Sequence, residues 1–351
     1  MRFKPSMLTV PGLLLTGIST VDKIIKLTRR IRFRHKVVVI TGGSRGLGLV
    51  MARQLACQGA KLALLARDEN ELQIAAEELG LRTQVEYFVC DVCNENEVNQ
   101  AIASVIEKFG TIDILINNAG VIQVGPLETM RVADFKDAMD NHFFASLYTT
   151  LAALPVMKAK KSGRIVNISS IGGKISVPHL LPYSASKFAL VGLSEGLRAE
   201  LLKDNIYVTT VCPGLMRTGS HLQANFKGEK ELEYAWFSTL NALPVLSTAA
   251  EDAARQVLEA CRQGDAELII SAPAALANTL NNLFPEATTT VLGLVNRMLP
   301  ESTNKKQMFT GKESRSDLSP NPLTTPIEIA AVQNNQWTER MPHHSGEWRP
   351  A

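Results

Sequence analysis

The chain contains little of what several protein classes require. Its 351 residues include only five cysteines, too few for a disulfide-stabilised scaffold, and this scarcity favours a reducing compartment. The 37 basic and 34 acidic side chains leave a formal charge of only +3, so charge gives no reason to expect a nucleic-acid partner. With 45% apolar and 20% charged residues, the chain is neither wholly disordered, nor a collagen, nor a coiled-coil rod.

Long apolar runs are also missing. No uncharged run reaches the roughly 18 residues that a membrane-spanning helix requires. The longest candidate, residues 7–21, is interrupted by Pro11, Gly12 and Gly17. It imitates a secretory signal, but no convincing cleavage site follows it. We therefore expect a cytoplasmic protein.

Residues 1–35 form an N-terminal extension whose second half is strongly basic. Seven cationic side chains fall within residues 22–36, and the apolar residues between them recur at helical spacing. Two interpretations remain open. The helix either packs on the domain with its charges in water, or it is a peripheral anchor on an anionic membrane surface.

Short, wholly apolar runs alternate with helix-like segments over residues 36–270. Such runs are typical of strands buried on both faces of a parallel sheet, and they lie at 37–40, 61–65, 85–89, 112–116, 164–168, 207–211 and 267–270. Helical patterns lie between them at 46–58, 69–79, 95–109 and 182–203. The alternation predicts one α/β domain with a doubly wound, parallel, seven-stranded, Rossmann-like sheet.

The pattern changes after residue 270. Residues 271–299 are apolar apart from Glu286 and Arg297, which predicts one or two helices that cover an apolar surface. Residues 300–351 are polar and contain six of the sixteen prolines. We therefore expect this last segment to be an extended or disordered tail.

A glycine-rich loop follows the first predicted strand and precedes a helix. It reads Thr41-Gly42-Gly43-Ser44-Arg45-Gly46-Leu47-Gly48. Glycines allow positive φ and let the backbone approach a pyrophosphate. The helix N-terminus adds free N–H groups and a positive dipole end. A glycine loop in this strand-to-helix context predicts a dinucleotide site.

The end of the second strand indicates which dinucleotide binds. NAD-selective sites carry an acidic residue there for the ribose 2′-hydroxyl, whereas this chain has Ala66 followed by Arg67. Arg67 and Arg45 offer two guanidinium groups that suit a 2′-phosphate. We expect NADP(H), with NAD(H) as the less favoured alternative because Asp68 places a carboxylate beside Arg67.

Two of the cysteines have C-x-x-C spacing, in Cys90-Asp91-Val92-Cys93. No second pair completes a zinc site, and a strand end is not the thioredoxin-like context of a redox pair. We therefore predict no metal site. Asp91 and Val92 are instead interpreted as residues of an adenine pocket.

Tyr183 and Lys187 lie four residues apart at the start of a long predicted helix, so their side chains share a helix face. A neighbouring cation stabilises a phenolate, which is expected to lower the pKa of Tyr183 from near 10 and to suit proton exchange with a substrate oxygen. Ser170 lies upstream at a strand end, where its hydroxyl can hold the same oxygen. Ser169 is the alternative for this role.

Together these motifs resemble those of the short-chain dehydrogenase/reductase family, in the subgroup with Thr-Gly-x-x-x-Gly-x-Gly and Tyr-x-x-x-Lys. The matching pieces cover about residues 36–270 in order: 41–48, Asp91, Asn117-Asn118-Ala119-Gly120, Asn141, Ser169-Ser170, Tyr183 with Lys187, and Pro213-Gly214. The resemblance implies a Rossmann-like fold and hydride transfer between a nicotinamide and a carbonyl or alcohol. It also implies dimers or tetramers formed through the helix that carries Tyr183 and the helix before it.

The resemblance implies a role for each matching residue. Tyr183 would be the acid/base, Lys187 would lower its pKa and bind the nicotinamide ribose, and Ser170 would orient the substrate oxygen. Around the cofactor it implies Asn118, Ala119 and Gly120 at the border, and Pro213, Gly214 and Thr218 beside the nicotinamide amide.

Three further residues lie in or near the motifs. The resemblance implies that Asn141 holds a water in a proton relay, although a bond within its own helix is an open alternative. His142 and His179 lie outside the family motif. We interpret His142 as a packing residue and His179 as a residue at the substrate mouth.

The expected pocket segments, 172–182 and 217–244, are rich in apolar side chains, namely Ile175, Val177, Pro178, Leu180, Leu181, Phe226, Tyr234, Trp236 and Phe237. This favours an apolar small-molecule substrate, unless these residues form the core of a lid. The sequence thus predicts an NADP(H)-dependent oxidoreductase that interconverts carbonyl and alcohol. A β-ketoacyl-thioester reductase and an NADP(H)-binding sensor without turnover are the alternatives.

Overall fold

Seven parallel strands form the central sheet of the computed structural model, which describes residues 26–303 and 305–337. The central strands are β1 (Val37–Thr41), β2 (Lys61–Ala66), β3 (Val85–Val89), β4 (Ile114–Asn117), β6 (Gly163–Ile168), β7 (Ile206–Pro213) and β11 (Glu267–Ile270). The remaining strands are short: β5 (Gln123–Val124), β8 (Leu215–Arg217), β9 (Asn225–Phe226), β10 (Ser247–Ala249) and β12 (Phe309–Thr310).

Helices connect the strands and cover both faces of the sheet. They are α1 (Gly46–Cys57), α2 (Glu69–Gly80), α3 (Glu95–Phe109), α4 (Val132–Met139), α5 (Ala145–Ala159), α6 (Leu181–Leu201), α7 (Lys230–Ala242), α8 (Ala250–Gln263), α9 (Ala272–Leu283), α10 (Pro285–Asn296) and α11 (Thr325–Gln333). Local signals set several of these boundaries. Asn94 caps α3 by accepting hydrogen bonds from two of its first amides, and the helix stops at Gly110, which has φ +77°.

The strand order is β11-β7-β6-β4-β1-β2-β3, so the chain winds outwards from β1 in both directions. Helices α1, α2 and α8 pack on one face of the sheet, and α3, α5 and α6 pack on the other. Both faces of β1 are therefore buried, as its continuous apolar run predicts. This arrangement confirms the predicted doubly wound fold. It also opens a crevice beyond the carboxyl ends of β1 and β4, where the winding direction reverses.

The described part of the basic N-terminal stretch packs at the amino ends of the strands. Phe33 is 2% exposed, and the Arg29 guanidinium lies 5.0 Å from the centre of the Tyr207 ring. Arg30 forms an ion pair with Glu259. These contacts agree with a packed segment for residues 26–36. The apolar run at 7–21 lies outside the described residues.

Residues 271–299 fold into a helical hairpin, α9 and α10, at the carboxyl edge of the sheet. Its outer side is unusually apolar: Leu276, Leu283, Phe284 and Met298 are each more than half exposed. Within the described ranges, no helix is long and apolar enough to cross a membrane.

The predicted disordered tail is wrong for residues 305–337. Strand β12 pairs antiparallel with β9, and helix α11 packs with Ile327 fully buried. Arg315 and His221 both contact Glu328, which links the segment to the predicted pocket segment 217–244. Polar composition misled the prediction because this segment is held by hydrogen bonds and ion pairs to the rest of the molecule, and needs only a small apolar face of its own.

Candidate active site

The glycine-rich loop leaves β1 at Thr41 and enters α1 at Gly46. Gly42 and Gly46 have φ values of +62° and +56°, which side chains rarely allow. A β-carbon on Gly48 would lie only 2.1 Å from the carbonyl oxygen of Gly42. These glycines therefore bring the start of α1 and its amides close to the crevice, an arrangement that fits a pyrophosphate.

Hydrogen bonds join the glycine loop to the end of β4. Thr41 Oγ1 accepts from the backbone amides of Asn118 and Ala119, each at 3.0 Å. The side-chain amide of Asn118 donates to the carbonyls of Thr41 and Gly42 at 3.1 and 3.2 Å. The segment from Asn118 to Gly120 thus borders the crevice, where the resemblance places it.

The turn 334–336, near the C-terminal end of the described chain, lies against the glycine loop. The Gly46 amide donates to the carbonyl of Asn334 at 2.8 Å, and Asn335 Nδ2 donates to the carbonyl of Ser44 at 3.1 Å. A β-carbon on Gly46 would lie 2.5 Å from Nε2 of Gln336. Sequence reasoning missed this contact because no local pattern links segments almost 300 residues apart.

The two arginines assigned to the 2′-phosphate have different surroundings. Arg45 forms a 2.7 Å ion pair with Glu71, which also accepts a hydrogen bond from Ser44 Oγ at 3.1 Å. Arg67 is exposed, and no hydrogen bond or ion pair within the described residues engages it. Asp68 caps α2 by accepting from the Glu71 amide at 2.9 Å. The carboxylate beside the loop is therefore that of Glu71, which sequence reasoning did not single out.

Asp91 and Val92 follow β3. The Asp91 carboxylate accepts from the Cys93 amide at 3.0 Å and closes a turn, while Val92 is 8% exposed and packs in the core. Burial raises the pKa values of the Cys90 and Cys93 thiols to about 12, so both stay protonated at neutral pH. Across the described ranges, no group of three or more His, Cys, Asp or Glu side chains is arranged to hold a metal ion.

Ser170, Tyr183 and Lys187 meet at the carboxyl end of β6. Ser170 Oγ accepts from the Gly172 amide at 3.0 Å and is hydrogen-bonded to the Tyr183 hydroxyl. One turn further along α6, Lys187 Nζ lies 5.6 Å from the centre of the Tyr183 ring and donates to the Ile168 carbonyl at 2.9 Å.

The neighbouring Ser169 has a different partner. Its hydroxyl donates to the Lys187 carbonyl at 3.0 Å and fastens α6 to β6. Of the two serines considered, the structure therefore brings Ser170 to the phenol.

Burial shifts the pKa values of two side chains in this cluster, Tyr183 and Lys187. Burial raises the pKa of Tyr183 to about 12, against the lowering effect of the hydrogen bond from Ser170. Burial also lowers the pKa of Lys187 to about 7. Lys187 is not among the groups that shift the pKa of Tyr183 in this arrangement, so the lowering of that pKa by Lys187 stays a prediction.

Asn141 and His142 lie in a π-helical turn, Asp140–Phe144, between α4 and α5. The Asn141 side chain donates to the Asp137 carbonyl at 2.8 Å, which is the within-helix alternative left open by the sequence. His142 is 1% exposed, and its ring meets the Tyr183 ring edge-on at 5.3 Å. The structure thus brings His142 to the Tyr183 ring, and the role that the resemblance implies for Asn141 stays a prediction.

Pro213 ends β7 on the same edge of the sheet, and Gly214 follows it. A β-carbon on Gly214 would lie 2.7 Å from Ser271 Oγ, so a side chain here would collide with the start of α9. Thr218 is 3% exposed, just beyond β8. Their predicted place beside a nicotinamide amide stays a prediction.

An apolar cavity of about 500 Å³ is lined by Gly214 and by Ile171, the residue that follows Ser170. Ile175 and Val177 line it, as the sequence predicts. Most of its wall, however, comes from the α9–α10 hairpin, namely Pro273, Ala274, Ala277, Leu280, Phe284, Ala287, Thr288, Val291 and Leu292. The apolar composition of residues 271–299 was the available signal for this wall.

The lid aromatics form a core of their own. Phe226, Tyr234 and Phe237 are buried together, with Leu180 and Trp236 packed against them. This corresponds to the lid-core alternative for these residues. His179 belongs to the same structure, because its Nδ1 lies 2.8 Å from a carboxylate oxygen of Glu233 on α7.

Residues 36–228 match the family model of the short chain dehydrogenases. This match covers more than half of the chain and contains the glycine loop, Ser170, Tyr183 and Lys187. The chain therefore belongs to the short-chain dehydrogenase/reductase family and is an oxidoreductase of that family.

Known relatives agree with this assignment. A dehydrogenase/reductase SDR family protein 7-like from Anopheles gambiae is 35% identical over 288 residues, 79% of this chain and 87% of that protein. A protein assigned as ketoacyl reductase 1 of the granaticin polyketide synthase of Streptomyces violaceoruber is 41% identical over 187 residues, 52% of this chain and 68% of that protein. The crystal structure of L-sorbose reductase from Gluconobacter frateurii, complexed with NADPH and L-sorbose, superposes with a TM-score of 0.61 at 26% identity, over 69% of this chain and 97% of that one.

Proposed function

We propose that the chain is an NADP(H)-dependent enzyme that interconverts a carbonyl and an alcohol on an apolar, lipid-like or aromatic substrate. The observation that carries this proposal is the meeting of Ser170, Tyr183 and Lys187 at the carboxyl edge of the sheet. The glycine loop lies at the same edge, and the apolar cavity is lined by Ile171, next to Ser170 in the chain. A cofactor bound at the loop and a substrate in the cavity would both reach the phenol.

Each side chain of the cluster has a role in this reaction. A bound nicotinamide supplies or accepts the hydride. Ser170 orients the substrate oxygen through its hydroxyl, and Tyr183 transfers a proton to that oxygen in the reducing direction. The raised pKa of Tyr183 keeps the phenol protonated at neutral pH, as a proton donor requires. Lys187 supplies positive charge beside the ring and stabilises the phenolate that forms.

NADP(H) is the proposed cofactor because Arg67 is free to meet a 2′-phosphate, whereas Arg45 is already paired with Glu71. The NADPH complex of the Gluconobacter reductase supports this choice. The variant Arg67→Ala should raise the Kd of NADPH about tenfold and leave that of NADH unchanged, since only NADPH carries the phosphate. Arg82→Ala, another exposed arginine, is the matched control. Equal effects on both nucleotides would contradict the assignment.

The activity is tested by following the loss of reduced-nicotinamide absorbance with NADPH and a series of ketones and aldehydes of increasing carbon number. We expect kcat/KM to rise with chain length until the cavity of about 500 Å³ is filled. Tyr183→Phe keeps the ring but removes the hydroxyl. It should abolish turnover and spare nucleotide binding, so unchanged turnover would refute the proposed role of Tyr183.

A β-ketoacyl-thioester reductase is the second candidate. It is favoured by the 41% identity to the Streptomyces protein. An acetoacetyl thioester and the free methyl ketone of equal length separate the two candidates. The lipid-carbonyl proposal predicts a higher kcat/KM for the free ketone, because the cavity wall is almost wholly apolar. A preference for the thioester would favour the second candidate.

Assembly and location remain proposals. We propose a homodimer or homotetramer formed through α5 and α6, where Leu151 and Phe188 are exposed apolar side chains. Peripheral membrane contact through the N-terminal extension, residues 1–35, stays a prediction, because residues 1–25 lie outside the described part. Flotation with anionic vesicles, with and without residues 1–35, tests it.

A further inference from the structure

The turn 334–336 brings a side-chain amide to the start of helix α1. Gln336 is 5% exposed, and its Nε2 lies 2.5 Å from the place that a β-carbon on Gly46 would take. The backbone of Gln336 is fixed at both polar groups, because its amide donates to the Ala331 carbonyl at 2.8 Å and its carbonyl accepts from Gln223 Nε2 at 3.0 Å. The side chain is therefore held against the glycine loop.

The side-chain amide of Gln336 has no partner in the part of the chain that the structure describes. Its Oε1 is buried without a hydrogen bond, and the hydrogen bonds formed by residue 336 are those of its backbone. A glutamine amide offers two N–H donors and an acceptor, and it is unfavourable to bury such groups unpaired. Methionine, an apolar side chain of similar length, would avoid this penalty. A buried amide at this position therefore indicates a polar partner from outside the chain.

The surroundings of this amide are the part of the crevice that fits a phosphate. Asn335 Nδ2 donates to carbonyls of the glycine loop and of the first turn of α2, at 3.1 and 3.4 Å, so the turn lies between these two segments. A dinucleotide places its pyrophosphate at the start of the first helix and its adenosine ribose beside the end of the second strand. The Gly46 amide, at the start of α1, is already engaged by the Asn334 carbonyl at 2.8 Å. Gln336 Nε2 thus supplies another N–H donor where that amide is no longer available.

We propose that Gln336 is a phosphate-binding residue of the cofactor site, with Nε2 donating a hydrogen bond to a pyrophosphate oxygen of the dinucleotide. The inference rests on the cofactor class of the function proposed above. The ligand chemistry follows from the donor, because phosphate oxygens accept hydrogen bonds and an amide nitrogen donates them. Residue 336 lies beyond residues 36–228, which the family model matches. The C-terminal segment of this chain therefore adds a contact to the shared catalytic domain.

Three variants at position 336 separate a phosphate contact from packing. Gln336→Met removes the donor and keeps the length, Gln336→Glu adds a negative charge, and Gln336→Lys keeps a donor and adds a positive charge. We expect the Kd of NADPH, measured by fluorescence titration, to rise about tenfold in Gln336→Met, as for one lost hydrogen bond to a charged group. It should rise about a hundredfold in Gln336→Glu, where like charges meet. Gln336→Lys should bind NADPH at least as tightly as the wild type does.

NADH should show the same changes in Kd, because it carries the same pyrophosphate. This pattern differs from that of Arg67→Ala, which should weaken the binding of NADPH alone. Gln333→Glu is the matched control, since it makes the same charge change at an exposed position at the end of α11. It should leave both Kd values within about twofold of the wild type, because solvent and salt screen an exposed charge.

The order of affinities decides the proposal. Equal losses in Gln336→Glu and Gln336→Lys, or changes confined to NADPH, would overturn the phosphate contact. If Gln336→Glu does not fold, the other two variants decide it, and weaker binding in Gln336→Lys than in Gln336→Met would overturn it. A wild type that binds NADPH but reduces no carbonyl would overturn the proposed function and leave this contact in place, since the Kd values are measured without a substrate.

Discussion

The backbone amide of Gly46, at the start of helix α1, donates a 2.8 Å hydrogen bond to the carbonyl oxygen of Asn334. The next residue, Asn335, donates through its side chain to the carbonyls of Ser44 and Glu71 at 3.1 and 3.4 Å. A segment that follows the catalytic domain in the sequence thus supports the loop on which the proposed cofactor site depends. The glycine loop is therefore held both by the end of β4 and by the turn 334–336.

The variant Asn335→Gly tests this support. Asn335 has φ +58°, which glycine adopts freely, so the substitution removes the side-chain bonds without backbone strain. We expect the Kd of NADPH to rise about tenfold and the free energy of unfolding to fall by about 1 kcal/mol. Nucleotide titration and urea denaturation measure the two effects. Asn205→Gly, at another left-handed asparagine near the amino end of β7, controls for the added chain entropy. Tighter NADPH binding in Asn335→Gly would mean that the turn competes with the nucleotide.

The ion pair between Arg45 and Glu71 is expected to limit the proposed selectivity for NADP(H). Glu71→Gln removes the carboxylate that holds Arg45, so the guanidinium becomes available to a 2′-phosphate. We expect the preference for NADPH, measured as the Kd of NADH divided by the Kd of NADPH, to increase about tenfold. Glu69→Gln removes an exposed charge from the same helical turn and should leave the ratio unchanged. A lower ratio in Glu71→Gln would show that Glu71 orders the site.

Lys187 couples stability to pH. Burial lowers its pKa from the ordinary 10.5 to about 7, so between these values the unfolded chain binds more protons than the folded one, and stability from this group rises with pH. Lys187→Met should therefore stabilise the nucleotide-free protein more at pH 6 than at pH 9, by a difference on the order of 1–3 kcal/mol. Urea denaturation at both pH values measures it. Lys203→Met, on the surface, should show no such difference, and an equal effect of Lys187→Met at both pH values would contradict the prediction.

The α9–α10 hairpin is expected to set the accepted substrate length. Ala277 lines the cavity, so Ala277→Phe fills part of the space of about 500 Å³. We expect KM for long-chain ketones to rise about tenfold while KM for short ketones stays constant, since only long substrates need that space. Leu276→Phe adds a ring on the exposed side of the same helix and should change neither value. Equal effects on short and long ketones would place the substrate elsewhere.

Much of this protein follows from the sequence alone. The alternation of apolar runs and helical patterns predicts the seven-stranded sheet because burial on both faces requires continuous apolar strands. The glycine loop and the spacing of Tyr183 and Lys187 are local patterns, and the geometry of one turn or one helix is enough to fix them in the structure. Their electrostatics are less predictable, since the pKa of Tyr183 depends on how deeply the finished fold buries the ring.

Only the tertiary structure decided which neighbours these residues meet. Asn141 and His142 are adjacent in the sequence, and the π-helical turn brings the histidine ring, not the asparagine amide, against Tyr183. The pairing of Arg45 with Glu71, the turn at Asn334 against Gly46, and the hairpin wall of the cavity all join segments distant in the chain. The periodicity of apolar residues predicts helices and strands. Contacts between distant segments depend instead on how the packed helices and strands place individual side chains. The chemistry around the proposed cofactor is therefore set by packing.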